Sequence, residues 1–235
     1  MIYLYIMDTT VLTCYKAQHS KIRMGRDYDG GYIICDIPNI NYDCFLAGGI
    51  ETDLSFEEDF CKMYKNTHCY AYDGTITEIN TNEPNIEFIR KNIGDKNKYN
   101  ETNLHDVINR NNNIMVKMDI EGGEIPWLYS LTDEHMNKFV QIVMEFHNPF
   151  SSSELEVFNK INRTHLLVHF HANNCCGVRN INGINVPNIF ECTYIHKKYL
   201  TMPYELNSDI IPSSLDMKNV LNKDEIIINY KPFVN

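Results

Sequence analysis

One short segment of the chain carries many of the residues that could do chemistry. It runs from Met115 to Leu128 and contains an apolar strand, an acidic turn and the start of a helix. The strand ends at Asp119, and Glu121 and Glu124 flank a pair of glycines. Acids in the first turn of a helix interact favourably with its dipole and can cap it, so we expect Glu124 to be a capping residue. Asp119 and Glu121 then remain available to a ligand.

Histidines and a further acid stand near the ends of two later predicted strands. Glu145 and His147 are two residues apart on one strand, and His169 and His171 are two apart on the next. Side chains two apart share one face of a strand, so we expect these groups to meet Asp119 at the same rim of the sheet. Neutral imidazole can take a proton from a substrate hydroxyl at physiological pH. We therefore predict these catalytic residues: Asp119, His147, His169 and His171.

The same rim could hold a metal ion, with Asp119, Glu145 and His171 as its ligands. A mixed set of carboxylates and imidazoles suits Mg²⁺ or Mn²⁺, or alternatively Zn²⁺. A divalent ion bridging a substrate oxygen would lower the pKa of that hydroxyl. Histidines near strand ends are also often structural, with their ring nitrogens bonded to backbone carbonyls, and this alternative stays open.

A second group of candidate residues follows the first strand of the predicted sheet. Gly48 and Gly49 would let a ligand approach the N-terminus of the next helix. Asp73 follows Gly49 at a distance close to the roughly 20-residue spacing of ribose-binding acids in nucleotide-binding α/β folds. The acids Glu51 and Asp53 would repel a pyrophosphate but suit a ligand with an ammonium group, such as S-adenosylmethionine. The predicted cofactor-binding residues are Gly48, Gly49, Asp53, Asp73, Asp119 and Glu121.

These residues are expected to be positioned by a mostly parallel sheet. From residue 43 the chain alternates short apolar runs with amphipathic stretches, which is typical of βα units. Strands are predicted at 43–47, 68–72, 86–89, 114–118, 139–146, 165–171 and 189–196, with short strands at 32–35 and 225–229. A loop separates the last two full strands, which suit an antiparallel hairpin. Helices are predicted from Ser55, with Glu58 completing a capping box, over 104–110, and after a cap at Ser151 or Ser153.

The segment KMDIEGGE resembles the K-x-D-x-E-G-x-E signature of FkbM-type S-adenosylmethionine-dependent methyltransferases. Six further segments resemble the family in the same order: RMGRDYDGGYIIC, GIETDLSFEEDF, AYDG, EFH, HFHANN and NIFECTY. The resemblance covers Ile22 to Tyr230. It implies a Rossmann-like seven-strand fold with helices on both faces of the sheet, and Gly49 and Asp73 at the cofactor site. It also implies that Asp29 to Tyr32 face the site. Arg23 or Arg26 would then form an ion pair with the carboxylate of the cofactor.

These observations predict an S-adenosylmethionine-dependent O-methyltransferase that acts on a hydroxyl of a sugar or glycan. The chain of 235 residues is interpreted as one domain, with an N-terminal extension (1–40), a nucleotide-binding core (41–146) and a C-terminal substrate side (147–235). Glu51 stands where relatives commonly carry a second glycine. This departure supports the alternative of a catalytically inactive S-adenosylmethionine-binding or interaction module. A nicotinamide-dependent oxidoreductase is a third hypothesis, which the missing G-x-G-x-x-G opposes.

Charge and composition limit the partners. The chain has 31 acidic and 21 basic residues, for a formal net charge of −10, so nucleic acid is not expected as a partner. It has no apolar run of about eighteen residues, and no basic segment precedes the apolar start from Met1 to Met7, so neither a membrane span nor a secretory signal is expected. Eight scattered cysteines without a CxxC motif are expected to be reduced thiols in a cytoplasmic compartment.

Overall fold

The computed structural model describes residues 8–235, and the apolar start from Met1 to Met7 lies outside the described residues. The strands are β1 (Ser20–Met24), β2 (Tyr32–Asp36), β3 (Cys44–Gly48), β4 (His68–Tyr72), β5 (Ile86–Ile89), β6 (Asn92–Ile93), β7 (Glu101–Thr102), β8 (Ile114–Met118), β9 (Phe139–His147), β10 (His165–Ala172), β11 (Val178–Ile181), β12 (Ile184–Pro187) and β13 (Ile189–His196). The α-helices are α1 (Ser55–Met63), α2 (His105–Arg110), α3 (Glu124–Ser130), α4 (Asp133–Lys138) and α5 (Ser152–Thr164).

A seven-stranded sheet forms the centre of the fold, in the order β10-β13-β9-β8-β3-β4-β5. Strand β13 is antiparallel to both neighbours, and the other pairs are parallel. The prediction of a mostly parallel α/β sheet is therefore confirmed. Numbered by their order along the chain, these seven strands lie as 3-2-1-4-5-7-6. The doubly wound dinucleotide-binding order is 3-2-1-4-5-6, so the antiparallel strand is an insertion between the fifth and sixth.

The two faces of the sheet bury separate hydrophobic clusters. Alternation along β3 sends Leu46 into one cluster and Phe45 into the other, as the period of two requires. Helices α2, α3, α4 and α5 cover the Leu46 face with residues such as Trp127 and Phe158. Helix α1 covers the Phe45 face together with the β1–β2 hairpin. Helices thus lie on both faces as expected, but the hairpin replaces helices on one of them.

Several predicted elements differ from the observed ones. The 225–229 segment forms no strand, because its pairing is limited to one isolated bridge between Ile211 and Ile228. The predicted loop between β10 and β13 contains the β11–β12 hairpin. The Ser55–Glu58 capping box is wrong, because Leu54 is the N-cap residue and the Ser55 hydroxyl accepts the Arg26 N–H instead. The cap at Ser151 is confirmed, with Glu154 completing its capping box.

Two further findings concern cysteines and the membrane. Cys175 and Cys176 form a disulfide, so the expectation of reduced thiols is wrong at these positions. The remaining cysteines are free and buried. Across residues 8–235, none of the helices has both the length and the apolar character needed to cross a bilayer.

Candidate active site

A cavity of about 420 Å³ opens at the carboxyl ends of β3, β4, β8 and β9. This is the edge of the sheet at which the strand order reverses, because β3 and β8 are neighbours there while their connections run in opposite directions. The cavity falls within the range of about 300–1,000 Å³ that is usual for small-molecule sites. Its polar wall includes Asp29, Tyr32, Glu51, Asp53, Asp73, Lys117, Asp119, Glu121, Glu145, His147, Asn173 and Asn219.

The glycine turn after β3 forms one wall. Gly49 lines the cavity with a φ of +69°, and a Cβ placed on it would lie 1.5 Å from the Asp119 carbonyl oxygen. Another residue would therefore collide with the loop after β8. Gly48, also predicted to bind the cofactor, packs away from the cavity, since its Cβ would meet Ile93 Cδ1 at 2.5 Å and Met118 Sδ at 2.7 Å. Its small size serves packing between strands.

Asp73 ties the glycine turn to the end of β4. Its Oδ2 accepts the Glu51 N–H at 2.9 Å, and its Oδ1 accepts the N–H and the hydroxyl of Thr75 at 2.7 and 2.6 Å. Burial by itself would raise the pKa of Asp73, but these hydrogen bonds outweigh it and hold the pKa below its ordinary value. Asp73 is therefore an anion at neutral pH whose Oδ2 has capacity for one more donor.

Arg26 and Asp53 form an ion pair across the mouth of the cavity, with Arg26 Nε 3.1 Å from Asp53 Oδ2. Arg23 donates to the Tyr28 carbonyl oxygen instead of facing the cavity. The predicted contact between an arginine and a cofactor carboxylate therefore has one candidate, Arg26, and the charge of Arg26 is already balanced by Asp53.

A buried charge pair that we did not predict lies behind the glycine turn. Lys117 Nζ donates to the Gly49 carbonyl oxygen at 3.2 Å, lies 5.1 Å from the centre of the Tyr32 ring, and is 3.9 Å from Glu57 Oε1. Glu57 is fully buried, and neither of its carboxylate oxygens has a hydrogen-bond partner among the described residues. Burial raises the pKa of Glu57, although Lys117 opposes this. The one feature of the sequence that could have indicated this pair is the position of Glu57 directly after Phe56, on the buried side of α1.

Tyr32 joins two acids at the centre of the cavity. Its hydroxyl donates to Asp119 Oδ2 at 2.8 Å and lies 3.4 Å from Glu145 Oε2. Asn173 Nδ2 donates to Glu145 Oε1 at 2.8 Å. Burial raises the pKa of Glu145 well above its ordinary value, and the negative charges of Asp119 and Glu191 raise it further. Tyr32 was predicted as the start of a short strand, and the family resemblance implied that Asp29 to Tyr32 face the site. The pairing of Tyr32 with Asp119 and Glu145 has no local sequence signal.

His147 lies close to three acids, two in the loop after β8 and one at the start of α3. Its Nδ1 lies 3.2 Å from Glu124 Oε1, and its Nε2 lies 3.4 Å from Glu121 Oε2 and 3.8 Å from Asp119 Oδ1. Burial opposes the charged form, but the hydrogen bond to Glu124 and the surrounding negative charges outweigh it and raise the pKa of His147 to about 9. We call Asp119, Glu121, Glu145 and His147 the acidic centre.

Glu124 shapes the loop that carries this centre. It is fully buried, and its carboxylate accepts the N–H groups of Ile120 and Gly122. Glu124 lies in the first turn of α3 as predicted, but it makes no hydrogen bond that caps the helix and instead holds the turn that precedes it. The turn also places Glu121 in the left-handed region at a φ of +53°, and its side chain points towards His147.

His169 and His171 lie outside this centre. His169 Nε2 is 2.9 Å from Asp216 Oδ1, and His171 Nδ1 is 3.2 Å from Glu191 Oε2, with Glu225 on its other nitrogen at 3.7 Å. Neither histidine lines the cavity. The prediction that the three histidines share a rim is wrong because β13 lies between β9 and β10. We call these buried side chains and their carboxylates the edge cluster.

The predicted metal set of Asp119, Glu145 and His171 is not brought together. Asp119 and Glu145 meet through Tyr32, but His171 is held in the edge cluster. Within the described residues, Asp119, Glu124 and His147 form the one group whose ligand atoms all lie within 4.8 Å of one another.

Comparison of the chain with models of known protein families and with curated proteins finds no match.

Proposed function

We propose that this chain is an FkbM-type S-adenosylmethionine-dependent methyltransferase that transfers a methyl group to a hydroxyl of a sugar or glycan. The observation that carries the proposal is that one cavity brings together the Gly49 turn, Asp73 and the acidic centre. The two halves of a group-transfer reaction need such a shared space. The seven-stranded sheet, with its inserted antiparallel strand, is taken as the Rossmann-like methyltransferase fold that the sequence resemblance implies.

The charges of the cavity wall fit S-adenosylmethionine better than a dinucleotide. Glu51, Asp53, Glu57 and Asp73 are all at the glycine turn or beside it, while Arg26 is paired with Asp53 and Lys117 lies beside Glu57. A pyrophosphate would meet an excess of negative charge, whereas an ammonium and a sulfonium would be attracted by it. Apolar side chains of Ile50, Phe56, Tyr72 and Ile93 complete this part of the cavity.

When bound, S-adenosylmethionine supplies an electrophilic methyl group. Asp73 is the residue placed to accept a ribose hydroxyl through Oδ2, which has spare acceptor capacity. The Gly49 turn leaves room for close approach of a ligand to the backbone. Glu57 and Lys117 offer one negative and one positive group for the charged amino-acid end of the cofactor.

The opposite half of the cavity fits a polyhydroxyl acceptor. Asp29, Asn173 and Asn219 line it, and Asn219 Oδ1 is buried without a hydrogen-bond partner among the described residues. Carboxylates and amides are good partners for sugar hydroxyls, and their net negative charge disfavours phosphorylated or carboxylated acceptors. The acidic centre would hold the reacting hydroxyl, and Glu145 is the carboxylate placed to accept its proton. The rate then depends mainly on how well the two substrates are positioned.

Calorimetric titration of S-adenosylhomocysteine into the protein tests the cofactor half of the proposal. We expect binding to the wild type and weakening by about 10- to 100-fold in Asp73→Ala, since a hydrogen bond to a charged group contributes about 1.5–3 kcal/mol. Asp43→Ala is a matched control, because Asp43 also accepts backbone N–H groups, from Asn112 and Asn113, but does not line the cavity. Asp43→Ala should bind like the wild type.

Two results would contradict the proposal. If S-adenosylhomocysteine binds neither the wild type nor Asp43→Ala, the cavity is not a cofactor site. If NAD binds in its place, the cavity serves a dinucleotide and the charge argument is wrong.

A further inference from the structure

The acidic centre contains a gap that the described protein groups do not fill. Asp119 Oδ1 is shielded from solvent and has no hydrogen-bond partner among the described residues. The closest approach to His147 Nε2 is 3.8 Å, which is too long for a hydrogen bond, and Glu121 Oε2 is 3.4 Å from the same nitrogen. Two carboxylates of the loop after β8 thus approach one nitrogen of His147, the last residue of β9, at the cavity wall. A buried carboxylate oxygen without a partner is unfavourable unless something satisfies it.

The distances of Asp119 and Glu121 from His147 are close to those between neighbouring ligands of a metal ion. Among the described residues, Asp119, Glu124 and His147 are the group whose ligand atoms all lie within 4.8 Å of one another, so Glu121 must change rotamer to join Asp119 and His147 around one ion. Bonds of about 2.0–2.2 Å to nitrogen and oxygen place neighbouring ligand atoms about 3.0–3.5 Å apart. The observed separations of 3.4 and 3.8 Å from His147 Nε2 are close to this range. The Glu121 side chain is 79% exposed, so its carboxylate can rotate to complete the set.

The groups behind the gap hold the ligands in the orientation that a metal requires. Glu124 occupies Nδ1 of His147 at 3.2 Å, which leaves the lone pair of Nε2 for a metal in the neutral ring. Glu124 is fixed in turn by the N–H groups of Ile120 and Gly122. Tyr32 occupies Asp119 Oδ2 at 2.8 Å and leaves Oδ1 free. A carboxylate behind a ligating histidine and a hydrogen bond behind a ligating carboxylate are the usual supports of a metal site.

We propose that Asp119, Glu121 and His147 bind a divalent transition-metal cation. One imidazole and two carboxylates suit Mn²⁺ or Zn²⁺, and three protein ligands leave positions open towards the cavity. This assigns Glu124 as a positioning residue, and it replaces the ligands expected from the sequence, Glu145 and His171. The cation site itself rests on ligand geometry alone. Its use in holding the acceptor hydroxyl rests on the proposed function.

The test is a Mn²⁺ titration of the full chain, followed by electron paramagnetic resonance in the absence of S-adenosylmethionine. We expect one bound Mn²⁺ per chain, with coupling to an imidazole nitrogen. His147→Gln should lose that coupling and weaken binding by about tenfold or more, and Asp119→Asn should weaken it comparably. His68→Ala is the matched control, because His68 Nε2 lies 2.9 Å from Glu87 Oε2 in an exposed pair outside the cavity. It should bind Mn²⁺ like the wild type.

The inference is overturned if the wild type retains no more Mn²⁺ than His147→Gln, or if bound Mn²⁺ shows no nitrogen coupling. Circular dichroism and thermal unfolding of each variant separate loss of the site from loss of the fold, and glutamine keeps an N–H group for Glu124. The metal readout needs neither cofactor nor acceptor. A chain that binds Mn²⁺ but not S-adenosylhomocysteine would therefore keep the metal site and lose the proposed function.

Discussion

Gly49 is a residue of the cavity wall that cannot carry a side chain without a collision. Its φ of +69° lies in the left-handed region, and the Asp119 carbonyl oxygen occupies the place of a Cβ. The glycine turn after β3 and the acidic loop after β8 are therefore in direct contact. A larger residue at this position would therefore disturb the glycine turn and the acidic loop together.

Gly49→Ala should lower the free energy of unfolding by on the order of 3 kcal/mol or more, because it adds a steric collision to backbone strain. Gly183 provides the control. Its φ of +88° would strain an alanine in the same way, but no atom lies within 4 Å of its Cβ position. Gly183→Ala should cost only about 1–2 kcal/mol, the strain alone. Urea unfolding of both variants measures the difference. Equal losses would show that contact with the Asp119 loop is unimportant.

Some site residues could be predicted from the ends of the strands, and others could not. The strand ends indicated Gly49, Asp73, Asp119 and His147, because parallel strands bring their carboxyl ends to one edge of a sheet. The family resemblance alone indicated Tyr32, and the Glu57–Lys117 pair was not expected to form the site. Their positions depend on how the β1–β2 hairpin and α1 pack on the sheet, and a pattern along the chain does not contain that information.

At the scale of elements, the placement of β13 decides which histidines can reach the cavity. It pairs with β9 on one side and β10 on the other, and its Glu191 lies directly opposite Glu145 in the ladder. His169 and His171 on β10 are consequently one strand further from the cavity than expected. They contact the C-terminal segment through Asp216 and Glu225. The edge cluster therefore fastens that segment to the sheet.

The edge cluster should make stability depend on pH. Burial by itself lowers the pKa of His171, but Glu191 and Glu225 outweigh it and, with Asp216, raise it from 6.5 to about 10. A pKa raised on folding stabilises the protein fully below pH 6.5, and this contribution is lost as the pH rises towards 10. The negative charges that raise the pKa of His171 thus come from Glu191, Glu225 and Asp216, and not from its neighbour on the strand, His169. We expect the contribution of His171 to fall by on the order of 2 kcal/mol between pH 6 and pH 10.

Urea unfolding of wild type and His171→Gln at both pH values isolates this contribution, because the other titrating groups are common to both chains. The wild type should be the more stable protein at pH 6, and the difference should shrink at pH 10. His68→Gln, at the exposed pair with Glu87, should show no such change. A wild-type advantage that is constant or grows with pH would contradict a charged His171.

The sheet strands were more predictable than the elements around them. Segments 114–118 and 68–72 are strands with the expected bounds, and the first is buried throughout. The 225–229 segment has a similar composition, but only Ile228 pairs with another segment, through an isolated bridge to Ile211. Strand formation there depends on whether a neighbouring chain segment is available. The β11–β12 hairpin was missed because its exposed residues have little apolar alternation.

At the scale of the whole molecule, the cavity lies where the strand order of the sheet reverses, and segments from distant parts of the chain form its wall. The hairpin supplies Tyr32, α1 supplies Glu57, the central strands supply the glycine turn and the acidic centre, and the C-terminal segment supplies Asn219. The cofactor and the acceptor would thus be enclosed by segments distant in the chain. Such an arrangement can hold two substrates in line, which is the main requirement of methyl transfer.

The most direct measurement is transfer of an isotope-labelled methyl group from S-adenosylmethionine to a panel of neutral sugars and glycans, followed by mass spectrometry of the carbohydrate. We predict labelled product with the wild type and a loss of about 100-fold or more in Asp119→Asn, with S-adenosylhomocysteine binding retained. Cofactor binding by the wild type without label in any acceptor would contradict the proposed activity and leave an inactive cofactor-binding module. Label transfer that is unchanged in Asp119→Asn would contradict the role of the acidic centre.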